Sequence, residues 1–221
     1  MQINIVTLYP QYFESNFAFG TLKKALGVNA IYINIINLRD FAFDTRGSVD
    51  DTPYGGGSGM ILRVDVLFNA LSSIKNSGYK IMLSASGKKY TQEIARSLEK
   101  KDTITLFCGK FEGFDERFLN FVDLELSIGD YVLSGGEVAA LVVIDSIARL
   151  LPGVLGNKDS VEEESFSPDS NILEYPQYTK PQTFNDFSIP EILVSGNHKE
   201  MKEFRKKEAI KKTKKNRPDL I

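Results

Sequence analysis

The sequence predicts an α/β fold: an open, mostly parallel sheet flanked by helices, followed by a small, mostly helical C-terminal domain. Three observations carry this. Short apolar runs rich in β-branched residues recur along the first half. Helix-period stretches lie between them. Glycine-rich segments sit at predicted loops, and an open sheet binds its ligands at the carboxyl ends of its strands.

The runs are Ile3–Leu8, Ile31–Ile36, Tyr79–Leu83 and Thr103–Cys108. Each is near-continuously apolar, which suits strands buried on both faces. Between them, Val64–Ile74 places Leu67, Leu71 and Ile74 on one helical stripe. Thr91–Leu98 does the same with Ile94, Ala95 and Leu98, and Thr91 stands where it can cap that helix. Gly136–Leu151 is the most apolar helix candidate and is stopped by Pro152 and Gly153. It is apolar on nearly every side. Such a helix must be covered all round, which points to a subunit interface or to a central core position.

Composition then changes. Leu155–Pro168 is rich in Asn, Asp, Ser and Glu without a period, and reads as a mobile linker. Tyr175–Phe187 holds prolines and aromatics, Pro190–Leu193 starts a short ordered piece, and Lys199–Lys215 reads as a helix. Met201, Phe204, Ala209 and Ile210 give that helix only an imperfect apolar stripe. The expected division is a domain over 1–156, a linker over 157–171 and a domain over 172–221.

Composition excludes several function classes. The chain has 221 residues, 42% hydrophobic and 25% charged, enough for a sizeable core. One cysteine, Cys108, and one histidine, His198, exclude a disulfide framework, a multi-cysteine zinc site and a His-rich centre; no metal is expected. The longest apolar run, Val138–Ile144, is too short to span a membrane. The N-terminus lacks the basic start of a signal peptide. A soluble, cytoplasmic protein is expected.

The net charge of −2 argues against a nucleic-acid binder, but it averages two unlike parts. Residues 199–221 hold ten basic against four acidic side chains, a net +6, while the rest of the chain is at −8. A basic terminal segment on an acidic body points to nucleic acid; its bland alternative is a solvated helix face.

Three glycine-rich stretches could carry chemistry: PYGGGSGM at Pro53–Met60, CGKFEGFDER at Cys108–Arg117 and IGDYVLSGGE at Ile128–Glu137. None is a P-loop or a Gly-x-Gly-x-x-Gly motif. Glycines let backbone approach a ligand closely; equally, they can serve only to make tight turns. Cys108 and His198 lie ninety residues apart, and Cys108 ends an apolar strand, so it reads as a small buried hydrophobe. By spacing alone, Arg149 reads as the partner of Asp145 one helical turn earlier, worth ~0.5 kcal/mol. The run Glu162–Glu164 reads as solvated linker charge.

Taken together, DTPYGGGSGM, CGKFEGFDER, SIGDYVLSGGE, IARLLPGVLG, YPQYTKP and VSGNH resemble the bacterial tRNA (guanine-N1-)-methyltransferase family of the SPOUT class. The resemblance covers essentially the whole chain, from NIVTLYPQYF to KNRPDLI, and rests on the order and spacing of the motifs. It implies a sheet with a deep trefoil knot, a feature that general topology rules call essentially absent. It implies transfer of a methyl group from S-adenosylmethionine to N1 of guanosine 37 of tRNA, next to the anticodon. By the same resemblance the cofactor is held by Leu83, Ser84, Gly109, Ile128, Gly129, Asp130, Tyr131, Val132, Leu133, Gly135 and Gly136.

The implied catalytic pair is Glu164 and Arg149. N1 of neutral guanine carries a proton, which a nearby carboxylate can remove. Negative charge then builds toward O6, where a guanidinium can stabilise it. Glu164 departs from the family, which has aspartate there; Glu163 is a conceivable substitute. Smaller departures are SASGKKYTQ for a Ser-Pro-Gln-Gly start, Phe111 for tyrosine, Gln177 for histidine and Phe204 for tryptophan.

The resemblance also implies a homodimer through the knot region, with active sites at the subunit interface. The linker would order over a target base flipped out of the anticodon loop. Lys206, Lys207, Lys211, Lys212, Lys214, Lys215 and Arg217 would grip phosphates of the anticodon stem-loop. His198, in the GNH turn, would face RNA or start a helix. Two other readings stay open: a SPOUT enzyme with a different target base, and a non-catalytic RNA-binding protein.

Overall fold

The computed structural model describes residues 1–156, 164–167 and 171–221. Most of the expected linker, with Glu162 and Glu163, therefore lies outside the described residues. The chain divides into two compact units, Met1–Gly156 and Asn157–Ile221.

The first unit is a five-stranded sheet. Its strands are β1 (Gln2–Thr7), β2 (Tyr32–Asn37), β5 (Tyr79–Lys89), β6 (Thr103–Cys108) and β7 (Leu124–Ser127). They run in the order β2-β1-β6-β5-β7, every pairing parallel. A two-stranded ribbon, β3 (Asp50–Asp51) with β4 (Ile61–Leu62), joins the ends of the first glycine-rich loop. The helices are α1 (Gly20–Gly27), α2 (Val64–Ser73), α3 (Gln92–Glu99) and α4 (Glu137–Ala148).

Period-two alternation explains why both faces are covered. On one face Ile3, Ile5, Ile81, Leu83, Ile104 and Leu106 pack with Leu22 and Ala25 of α1, Leu98 of α3 and Ala140, Val143 and Ile147 of α4. On the other, Val6, Met82 and Phe107 pack with Val66, Leu67 and Ala70 of α2 and with Phe118. The second face also carries a short polar ladder. Asn4 accepts from the exposed Asn34 at 3.0 Å and donates to Thr105 Oγ1 at 3.1 Å, so its buried amide is paired where the strands meet.

All four expected strands form. β5 runs on to Lys89, past an irregular register with β7 between Leu83 and Lys88. β7 and α1 have no counterpart in the sequence reading. β7 is four residues long and interrupted by Glu125, too short for its period to show. Thr91 caps α3 as expected, its Oγ1 accepting from the Ile94 N–H at 3.4 Å.

The sequence left α4 at a subunit interface or in a central core position, and within its own unit it is not covered all round. Ala140, Val143, Ile144 and Ile147 are buried, but Val138 and Val142, one turn apart, are 40% and 42% exposed. Within its own unit the helix buries one face and leaves an apolar stripe open. The helix pair expected from spacing is also not made: Asp145 and Arg149 form no ion pair, and Arg149 is instead the C-cap residue, its N–H donating to the Asp145 carbonyl at 3.1 Å.

In the second unit, β8 (Thr183–Phe184) and β9 (Phe187–Ser188) make a hairpin. Asn185 and Asp186 turn it in the left-handed conformation that tight hairpin turns require. Helix α5 (His198–Asn216) extends the expected helix by one residue at each end. Asn197 is its N-cap, accepting from the Glu200 N–H at 3.3 Å. Only Ala209 and Thr213 of α5 are buried; Met201, Phe204 and Ile210 are half-buried. Thr213 Oγ1 accepts from the Leu173 N–H at 2.9 Å and donates to the Ala209 carbonyl at 2.7 Å.

Candidate functional site at the strand ends

A cleft of about 360 Å³ opens at the carboxyl ends of β6 and β7, beside the irregular stretch of β5. Its wall is made by residues 83–86 within β5, 109–114 after β6, 126–129 and 131–136 at and beyond the end of β7, and Ala139 of α4. The site follows from topology. β6 and β7 end beside the irregular stretch of β5 that follows Leu83, and the loops after β6 and β7 close around the space left there.

The loops are tied to one another by backbone. The Gly136 N–H donates to the Gly109 carbonyl at 2.8 Å. Residue 136 must be glycine, because a Cβ there would stand 2.6 Å from the Gly109 nitrogen and 2.7 Å from the Cys108 Cα. Lys110 Nζ donates to the Ser134 carbonyl at 2.7 Å and lies 5.2 Å from the centre of the Tyr9 ring. The first glycine-rich loop is outside the wall but braces it. Glu112 N–H donates to the Met60 carbonyl at 2.9 Å, and Leu62 N–H donates to the Gly113 carbonyl at 2.9 Å.

Polar groups are held in place around the rim. Ser84 Oγ and Ser86 Oγ are 2.8 Å apart, and Ser86 donates to Glu125 at 2.7 Å. Ser127 Oγ donates to the Gly129 carbonyl at 3.1 Å, and the Tyr131 hydroxyl donates to the Ile128 carbonyl at 3.3 Å. Beyond the wall, Arg117 makes a two-pronged contact with Asp115 at 2.9 and 2.6 Å, which holds the Asp115 carboxyl below its ordinary range.

The residues assigned to cofactor binding therefore converge: Leu83, Ser84, Gly109, Ile128, Gly129, Tyr131, Val132, Leu133, Gly135 and Gly136 all line one cleft. Asp130 does not line it. Its carboxylate is exposed and paired with Lys89 at 3.0 Å. Lys110, Phe111, Glu112, Ser127 and Ser134 belong to the wall without having been singled out for it. Their signal was the motif they sit in. Glu137, at the start of α4, is buried and had no signal beyond ordinary helix-start acidity.

Cys108 is buried; burial first, and the charge of Glu137 second, push its thiol well above its ordinary range, which fits a hydrophobe and not a nucleophile. Arg149 is half-buried at the end of α4. Glu164 belongs to the second unit and is half-buried. Its neighbours are anchored there: Ser165 Oγ accepts from the Glu174 N–H at 2.9 Å and the Phe166 N–H donates to the Ile172 carbonyl at 3.1 Å.

On the second unit, Lys206, Lys207, Lys211, Lys214 and Lys215 of α5 are exposed, while Lys212 is half-buried. Arg217 is exposed but engaged, with two hydrogen bonds to Asp219 at 2.8 and 2.5 Å and the Phe166 ring 5.9 Å away. His198 is exposed and is the first residue of α5. Among the described residues no cluster of His, Cys, Asp or Glu is arranged to hold a metal ion, and no helix is long and apolar enough to cross a membrane.

Comparison with known proteins adds an independent line. The family model described as tRNA (Guanine-1)-methyltransferase TrmD matches residues 1–221. A tRNA (guanine-N(1)-)-methyltransferase of Dictyoglomus turgidum is 48% identical, covering all of this chain and 90% of that protein. One from Malacoplasma penetrans is 47% identical, over all of this chain and 97% of its own length. Another from Carboxydothermus hydrogenoformans is 48% identical, over all of this chain and 87% of its own length. With the match unbroken from the first strand to the last basic residues, the chain belongs to the TrmD family of tRNA (guanine-1)-methyltransferases.

Proposed function

We propose that the protein transfers a methyl group from S-adenosylmethionine to N1 of guanosine 37 in tRNA. The observation that carries the proposal is the convergence of residues 83–86, 109–114, 126–129 and 131–136 on one cleft. That cleft suits the cofactor. Leu83, Leu126, Ile128, Val132 and Leu133 offer apolar cover for a purine, while Ser84, Ser86, Glu112 and Ser134 offer partners for ribose and amino-acid groups. Gly109, Gly135 and Gly136 line the cleft without a side chain, which lets a ligand meet backbone there.

When bound, S-adenosylmethionine supplies a methyl group on a positively charged sulfur. The chain's own residues prepare the acceptor. Glu164 accepts the N1 proton of guanine, and the Arg149 guanidinium faces O6 and offsets the charge that grows there. Glutamate keeps the carboxylate of the family's aspartate with one more methylene, so the segment carrying it sits slightly farther from the base. Flipping that base out of the loop stack costs a few kcal/mol.

In this reading residues 1–156 form the cofactor domain, with the knot threading its loops together. Residues 157–171 are the linker, and 172–221 bind tRNA. Lys206, Lys207, Lys211, Lys212, Lys214, Lys215 and Arg217 supply phosphate contacts, with His198 at the RNA-facing start of α5. Two copies pair through the Val138/Val142 stripe and share their active sites. The reaction is assigned to the cytoplasm, the compartment that holds bacterial tRNA.

The test is to incubate the protein with labelled S-adenosylmethionine and unmodified tRNA transcripts, with or without guanosine at position 37, and to map the methylated base. Label at N1 of that guanosine alone is expected. Label on another base, or none, overturns the proposal.

A further inference from the structure

Glu137 is the one carboxylate among the buried polar side chains described, at 5% exposure. A carboxylate in such a place is costly unless it is hydrogen-bonded and paired with a cation. Its hydrogen bonding is sparse. Thr7 Oγ1 donates to Oε1 at 2.7 Å, and the same hydroxyl accepts from the Tyr9 N–H at 3.0 Å, so the end of β1 is tied to the start of α4. The peptide dipoles of α4 favour negative charge at its first turn, but no cationic side chain among the described residues forms an ion pair with Glu137. Lys110, the nearest candidate in the wall, spends its ammonium on the Ser134 carbonyl.

The other oxygen, Oε2, lies directly behind the cleft wall. A Cβ on Gly135 would stand 2.4 Å from it. Gly135, Gly136 and Ala139 all line the cleft, so only one layer of backbone without side-chain bulk separates this charge from the bound ligand.

We propose that Glu137 is a specificity-determining residue: its unpaired charge behind Gly135 favours a cationic sulfonium donor over the neutral thioether left after transfer. The inference rests on the S-adenosylmethionine reading. It gives the buried charge its missing counter-ion, and it makes the spent product the weaker electrostatic partner of the same cleft.

The test compares affinities by calorimetric titration. S-adenosylmethionine and S-adenosylhomocysteine are each titrated into the wild-type protein, Glu137→Gln and Glu137→Asp. Glutamine keeps the acceptor for Thr7 and removes only the charge. We expect it to weaken S-adenosylmethionine roughly fivefold relative to S-adenosylhomocysteine, the order that a unit charge exerts across several ångströms of partly screened interior. Glu137→Asp keeps the wild-type ratio. Thermal melting checks folding, and if glutamine unfolds the protein, Glu137→Met carries the same test as an uncharged residue of similar volume. Equal weakening of both ligands, or no change in the ratio, overturns the proposal and leaves Glu137 a structural brace. A wild-type protein that binds neither ligand overturns the cofactor reading, and this inference falls with it.

Discussion

The Gly136 N–H donates to the Gly109 carbonyl across 2.8 Å, and this bond closes two glycine-rich loops, far apart in sequence, into one continuous wall. The approach is too tight for any side chain at 136. Gly136→Ala should therefore push the start of α4 off the end of β6. We expect a loss of about 1–3 kcal/mol of stability, the usual cost of overpacking, with cofactor affinity falling in parallel. Chemical denaturation and calorimetric titration measure the two effects.

The catalytic pair separates binding from chemistry. Glu164→Ala should leave S-adenosylmethionine affinity unchanged while single-turnover methylation slows by about 10²–10⁴-fold, the range for a lost general base. Arg149→Ala should slow the same step by about 10²–10³-fold. Turnover by Glu164→Ala at the wild-type rate would move the base elsewhere, with Glu163 first to examine.

The basic face of α5 should bind tRNA in a salt-dependent way. A plot of log affinity against log salt should be steep for the wild-type protein. The double substitution Lys206→Ala and Lys207→Ala should reduce the slope by about 2, roughly one unit for each lysine–phosphate pair removed. Arg217→Ala should change it less, since Asp219 already occupies that guanidinium. Filter binding across a salt series measures all three.

The open valines of α4 offer a direct test of assembly. Val138→Asp or Val142→Asp places a charge on an exposed stripe, so each unit should still fold. If the stripe is the subunit contact, sedimentation should show these variants shifted from dimer to monomer, with methylation lost alongside.

Asp115 makes stability depend on pH. Its folded-state pKa is lowered, chiefly by the hydrogen bonds from Arg117, so it stabilises the fold above the ordinary carboxylate value of about 3.9. That contribution is lost as pH falls through the depressed value. Asp115→Asn should be less stable than wild type at pH 7, and the gap should close as pH falls through the depressed value. A gap constant with pH would assign the effect to packing instead.

Much was legible without coordinates. The four apolar runs became strands because the packed sheet demands largely apolar side chains, with the buried Asn4 and Thr105 paired by hydrogen bonds. The Thr91 cap declared itself because capping is local chemistry, whereas α4 ends at Ala148, ahead of the stop expected at Pro152 and Gly153. The ordered motifs, not composition, pointed to the family; the net charge alone argued the wrong way, since it averaged an acidic body with a basic tail.

The strand order β2-β1-β6-β5-β7 was decided only in three dimensions, because a parallel partner is chosen by long-range packing and leaves no period in either strand. β7 was too short to announce itself. Asp145 and Arg149 stand at ideal helical spacing yet form no ion pair with each other, and Arg149 is the C-cap residue of the helix. Glu137 reads in sequence as an ordinary acid at a helix start. Only the seating of α4 against β1 and β6 buries its carboxylate behind Gly135, because burial belongs to the surroundings that distant segments supply and not to the residue itself.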